Sequence, residues 1–109
     1  MALTLFTIQD SPVGVWLYKQ DSSKIEIYIK DGDLSGTLIS SKNLSNEPGT
    51  EIFKHFKLKN GKWQGKLYLI KLQQWVDASF QLKDNLLLVE YNYGFLTKSF
   101  YLSKENHHK

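Results

Sequence analysis

Histidines, carboxylates and lysines are the residues of this chain whose types could move protons or grip charge. His55 sits inside an alternating run, and His107 and His108 are neighbours near the end of the chain. A metal site needs fixed ligands converging from several directions, which two adjacent tail histidines do not supply. No Gly-x-Ser-x-Gly elbow, His-Glu-x-x-His pair or phosphate-cradling glycine loop occurs. Asp77 and Glu90 are carboxylates that neighbouring strands could bring together, in a register the sequence leaves open. Cysteine is absent, which excludes disulfides, thiolate zinc sites and cysteine nucleophiles. The expectation is a chain that is not an enzyme and carries no metal or cofactor.

All 14 basic residues are lysine. Arginine's planar fork is the usual means of bidentate grip on phosphate, carboxylate and guanine, so its absence counts against functions built on that grip. The net charge of +3 selects no partner. The segment from Lys54 to Lys71 holds six lysines and no acid, with His55, Phe56, Trp63 and Tyr68 interleaved. Single-stranded nucleic acid is bound by such mixtures when lysines and aromatics share a face. Here most lysines alternate away from Trp63, so no nucleic-acid partner is expected. The lysines read instead as a solvated hairpin face that discourages edge aggregation.

The elements that would hold these residues are short. Turn formers cluster at Ser11-Pro12, Gln20 to Ser23, Asp31-Gly32-Asp33, Asn46 to Gly49, Asn60-Gly61, Lys83 to Asn85 and Asn92-Tyr93-Gly94. Between them lie runs of about seven residues, rich in β-branched and aromatic side chains, that leave no room for long helices. Ile25, Ile27 and Ile29 alternate with Glu26, Tyr28 and Lys30; Val76, Ala78, Phe80 and Leu82 alternate with Asp77, Ser79 and Gln81. Eight strands are expected, at 13–19, 24–30, 34–40, 51–58, 62–70, 75–82, 86–92 and 95–102. Short connections make the topology an antiparallel meander, and closure into a barrel hides its apolar face and its edges. The fold class is therefore all-β, an eight-stranded antiparallel barrel.

Alternation sorts the side chains into an interior and an exterior. Trp63, Gly65, Leu67 and Leu69 take the inner face with Phe56 and Leu58, and Lys54 shares that face. An inward lysine needs a counter-ion or water, which makes Lys54 the candidate anchor for a ligand carboxylate, or else it snorkels to solvent at the rim. Lys98 is the one polar residue on the apolar face of the last run, with Leu96, Phe100 and Leu102. Such a barrel is either filled by its own side chains or holds one small ligand. Leu86-Leu87-Leu88-Val89 and Leu67-Tyr68-Leu69-Ile70 are apolar on both faces, so their outer residues need a cover: the N-terminal segment, a second copy or another protein.

Gly14-Val15-Trp16 looks like the Gly-x-Trp signature that opens lipocalin barrels. It is followed by Ile25-Glu26-Ile27-Tyr28, Asp31 to Gly36, Lys62 to Tyr68, Asp77-Ala78-Ser79-Phe80, Asn85 to Val89 and Gly94-Phe95. That ordered set, from about Val13 to Leu102, resembles the small bacterial family catalogued as domain of unknown function 2147. The resemblance implies a lipocalin-like barrel, usually exported, with no assigned activity, in which Trp16 plugs one end. The family pattern closes on a tryptophan and an arginine, whereas here the stretch Leu96 to Ser103 offers Phe100, Tyr101 and only lysine. Lys98 is the candidate to replace that arginine as a cation on Trp16.

The expected organisation is an N-terminal extension over 1–12, a barrel over 13–103 and a frayed tail over 104–109. The extension is either the remnant of an export signal or a covering strand, and no membrane span is expected. The expected location is periplasmic or secreted, with the cytoplasm also compatible. The expected function is binding of a small apolar or amphipathic molecule by Trp16, Lys54, Phe56, Trp63, Phe80 and Phe100. The alternative is a solid barrel that acts as an interaction module or inhibitor, or as a homodimer, through its outer apolar strands.

Overall fold

The computed structural model describes residues 11–105. Eight strands run in chain order: β1 (Gly14–Tyr18), β2 (Ser23–Lys30), β3 (Asp33–Ser40), β4 (Glu51–Lys59), β5 (Lys62–Leu69), β6 (Gln74–Lys83), β7 (Leu86–Tyr93) and β8 (Leu96–Lys104). Each pairs antiparallel with the next, and β1 pairs with β8 to close the barrel. The only helical element among the described residues is a 3₁₀ turn at Lys19–Asp21. The all-β meander barrel expected from punctuation and alternation is the observed fold.

The hairpins form where the turn chemistry dictates. Asp31-Gly32 and Asn60-Gly61 both take positive φ at the two central positions, the mirror-image turn whose twist suits paired strands. These turns, with Asp84-Asn85 between β6 and β7, lie at one end of the barrel. The opposite end carries the 3₁₀ turn, the long β3–β4 connection, the β5–β6 turn and Gly94-Phe95.

The interior is densely aromatic in part. Trp16, Phe53, Phe56, Phe80, Leu87, Val89 and Leu102 are completely or almost completely buried. Phe56 stacks face to face on Phe80 at 3.9 Å, and Phe53 meets both edge-on at 5.6 and 4.7 Å. Gly36 and Gly65 accommodate these rings: a Cβ on Gly36 would lie 2.7 Å from Phe53 Cδ2, and one on Gly65 2.6 Å from Phe56 Cδ1.

The barrel also reaches beyond its expected bounds. Pro12 is buried, and its carbonyl accepts a 2.8 Å hydrogen bond from the Trp16 indole. Lys104 is part of β8 rather than frayed tail, and the Glu105 amide donates to the Val15 carbonyl at 3.0 Å. Glu105 also pairs with Lys24 at 3.0 Å. The proposed covering strand or signal remnant before Ser11, and the tail after Glu105, lie outside the described residues.

Candidate functional site

The end bearing the Asp31-Gly32, Asn60-Gly61 and Asp84-Asn85 turns is closed, and Trp16 is what closes it. Its ring is buried, its indole N–H is satisfied by Pro12, and Lys104 Nζ lies 5.2 Å from its ring centroid. Gly14 has φ +141, and a Cβ there would come within 3.1 Å of Lys104 Nζ. The Gly-x-Trp spacing thus has a local cause: glycine leaves the lane along which a lysine reaches the tryptophan. That lysine is Lys104 and not Lys98, because Lys104 is the residue of β8 paired with Trp16, whereas Lys98 lies near the strand's other end, opposite Tyr91.

Lys54 is not an interior anchor. Between Lys54 and Lys57 strand β4 carries one residue more than β5 opposite it, and His55 takes φ +59 at that bulge. An extra residue reverses the parity of the strand, so Phe53 and Phe56 both point inward and Lys54 points outward. Outside, Lys54 Nζ lies 4.0 Å from the centroid of Trp75, which packs against Tyr68 at 5.0 Å. The bulge is tolerated because Gly65 lies across from it, where a Cβ would come within 2.7 Å of the Lys54 carbonyl oxygen.

The other end of the barrel is open, and a cavity of about 650 Å³ enters it between the strand ends. Its apolar wall is made by Ile25, Leu38, Ile52, Leu67, Leu69 and Phe100. Phe100 is flanked by Tyr18 at 5.3 Å and Tyr91 at 6.1 Å, so one side of the cup is aromatic with hydroxyls attached. The Tyr18 hydroxyl donates to Gln20 Oε1 at 2.6 Å. Burial pushes the Tyr18 phenol above its ordinary range, and the nearby charge of Asp21 and the Tyr91 phenol push the same way. Lys98 stands at the mouth.

One side of the mouth is held in place by hydrogen bonds. The Ser23 hydroxyl, itself buried, donates to Asp21 and lies 2.8 Å from the Ser41 hydroxyl. Asn46 Nδ2 donates to Asp21 Oδ2 at 3.1 Å and to Ser41 Oγ at 3.3 Å, and the Lys42 amide donates to the Asp21 carbonyl at 3.2 Å. The 3₁₀ turn and the β3–β4 connection are thereby one unit, which fixes the rim beside Ile25 and Leu38.

Of the six residues expected to line a binding cavity, only Phe100 does so. Trp16, Phe56 and Phe80 are inside the barrel as expected, yet they are packed solid and away from the cup. Trp63 is half-buried near the closed end, opposite Leu58 and Phe80. Lys54 is outside. The residues that do form the cup, Ile25, Leu38, Leu67 and Tyr18 among them, carry the ordinary inward pattern of their strands. What marks them is position: each lies toward the open end of its strand.

A second concavity, of about 550 Å³, lies on the outer side of β5–β7 and is bordered mainly by polar and charged residues, whose carbon stems make up much of its wall. Asp77 and Glu90 both border it without facing each other, since Asp77 is opposite Lys66 and Glu90 opposite Ser79. Lys66 Nζ holds Asp77 Oδ1 at 2.6 Å, so that carboxylate is already partnered. No group of three or more histidines and carboxylates placed to hold a metal occurs among the described residues. The two doubly apolar runs are thinner surfaces than their sequence suggests. Leu67, Leu87 and Val89 are buried inside, and Tyr68 rests on Trp75.

No helix among the described residues is long and apolar enough to cross a membrane. Comparisons with protein-family models, curated proteins and solved structures give no match.

Proposed function

We propose that this barrel binds a small amphipathic molecule, with its apolar body in the cup and its polar end at the mouth. The observation that carries the reading is the one-ended cavity of about 650 Å³ walled by aliphatic and aromatic side chains. Ligand pockets of roughly 300–1,000 Å³ are typical, and they combine such walls with a few polar groups that set orientation. Those polar groups are the hydroxyls of Tyr18 and Tyr91 and the ammonium of Lys98. The anchor moves from Lys54 to Lys98, which shares the inner face of β8 with Phe100. The reading is one of binding rather than catalysis: the side chains at the mouth orient a ligand, and none is paired with a second group as nucleophile and base.

The test is a fluorescence titration with a dansylated fatty acid. Leu38→Trp puts a large ring into the cup and should weaken binding by at least about tenfold while the circular dichroism stays that of the barrel. Lys98→Met should weaken the carboxylate probe severalfold and leave its neutral methyl ester unaffected. Equal affinity of the wild type and Leu38→Trp would refute the cup as the site.

A further inference from the structure

The turns at the two ends of the barrel differ in a way that folding does not require. At the closed end their central residues are Asp31-Gly32, Asn60-Gly61 and Asp84-Asn85, all polar or glycine. At the open end, three successive connections each place a large apolar residue in an exposed central position. Leu44 follows Asn43 in the turn closed by the Asn46 amide on the Asn43 carbonyl, and is 97% exposed. Leu72 lies in the turn closed by Gln73 on Ile70, and is half exposed. Phe95 is the second residue of the Gly94-Phe95 hairpin loop, and its ring is wholly in solvent. Exposed apolar residues at the closed end are not at turn tips: Ile29, Leu58 and Leu86 lie on strands, and Val13 precedes β1.

Glycine at the first position satisfies the backbone of the Gly94-Phe95 loop, so phenylalanine at the second serves no turn geometry. None of the three side chains belongs to the core. The same end carries Lys19, Lys42, Lys71 and Lys98 against Asp21, Glu47 and Glu51, and the Asp21 carboxylate is engaged by Ser23 and Asn46. Lys71 and Leu72 are adjacent, and both border the cup together with Lys98.

We propose that the open end docks on an anionic phospholipid surface, inserting Leu44, Leu72 and Phe95 among the acyl chains with the lysines at the headgroups. Separate tips on separate hairpins suit a fluid surface, which rearranges around each one, better than a rigid protein face. A second copy docked end to end would set the same small lysine excess against itself, with no charge complementarity to favour that pairing. The lysine excess at this end is small, so insertion supplies most of the attraction and anionic lipid adds to it. Docked in this way, the mouth of the cup opens onto the lipid. The inference rests on the cup reading only for the ligand source: the bound molecule is then one that partitions into membranes.

Vesicle co-sedimentation tests the surface, and the dansylated fatty acid titration reports the cup separately. The full chain should sediment with phosphatidylcholine–phosphatidylglycerol vesicles, and more weakly with phosphatidylcholine alone. Leu44→Ser/Phe95→Ser should lower the partition coefficient by at least about tenfold while leaving probe affinity in the cup unchanged. Phe95→Ser alone should lower it by a smaller factor, which guards against a folding effect of the double change. A wild-type chain that stays in the supernatant with both vesicles would overturn the proposal. So would a double variant that sediments like the wild type.

Discussion

The two ends of this barrel are built from the same strands and treat their interiors in opposite ways. At the closed end a tryptophan, three phenylalanines and a set of branched aliphatics interlock, with glycines at the positions where a side chain would block the rings. At the open end the inward positions are occupied by aliphatics of moderate size and by tyrosines, and they do not meet across the axis. Density at one end makes vacancy at the other affordable. A barrel emptied along its whole length would have no core, since burial of apolar surface is the main term that opposes chain entropy. The division of labour also separates stability from binding along a single axis, so the two can be perturbed independently.

The most damaging change to that division is Phe56→Ala combined with Phe80→Ala. The two rings stack face to face at 3.9 Å and are completely buried, so their loss opens a large cavity in the dense end. The expected loss exceeds about 5 kcal/mol, comparable to the whole stability of a small domain. The near-ultraviolet circular dichroism of the aromatic core should collapse; a native spectrum would show that the stacked pair does not hold the dense end together. Next is Trp16→Ala, which empties the sealed end. It should cost about 3–5 kcal/mol in urea unfolding and leave the affinity of the folded protein for the fatty acid probe unchanged. A parallel fall in affinity would merge the two ends into one cooperative site and dissolve the comparison.

The smallest expected effect belongs to the open end. The Tyr18 phenol ionises above its ordinary value of 10.0 in the folded chain and at that value once unfolded. Below pH 10 both states keep the proton and the group contributes its full stability. As the pH rises beyond 10 the unfolded state loses the proton first, so stability falls. Urea midpoints followed from neutral pH to about pH 11 should therefore drop less steeply in Tyr18→Phe than in the wild type. Identical slopes would place Tyr18 in a wetter setting than the cup wall.

The fold was legible because it rests on local rules. Mirror-image turns announce themselves as Asp-Gly and Asn-Gly, and every expected strand lies within two residues of the observed one. The site was far less legible. Alternation assigns a face and says nothing about height along the barrel, so the bulkiest inward aromatics were the natural candidates for a lining. They prove to be the filling. Lys54 was misplaced because period-two reading assumes an unbroken strand, and the bulge breaks it. Two signals for that break stand in the sequence: the three-residue spacing of Phe53 and Phe56, and Gly65 in the middle of the facing strand. Lys104 as the cation on Trp16 was hidden because it depends on the meeting of β1 and β8, the partners farthest apart in the chain.

That meeting has a consequence for how the barrel comes into being. Seven of the eight strand contacts join neighbours in sequence and can be made by hairpins as they collapse. The eighth is held by only two registered pairs, Trp16 with Lys104 and Leu17 with Ser103. It closes a loop of nearly the whole chain, whose entropic cost is met only after the hairpins have drawn the ends together. The seam is therefore the final step of assembly, and the Trp16 plug, its indole on Pro12 and its ring beside Lys104, is the latch that reports its completion.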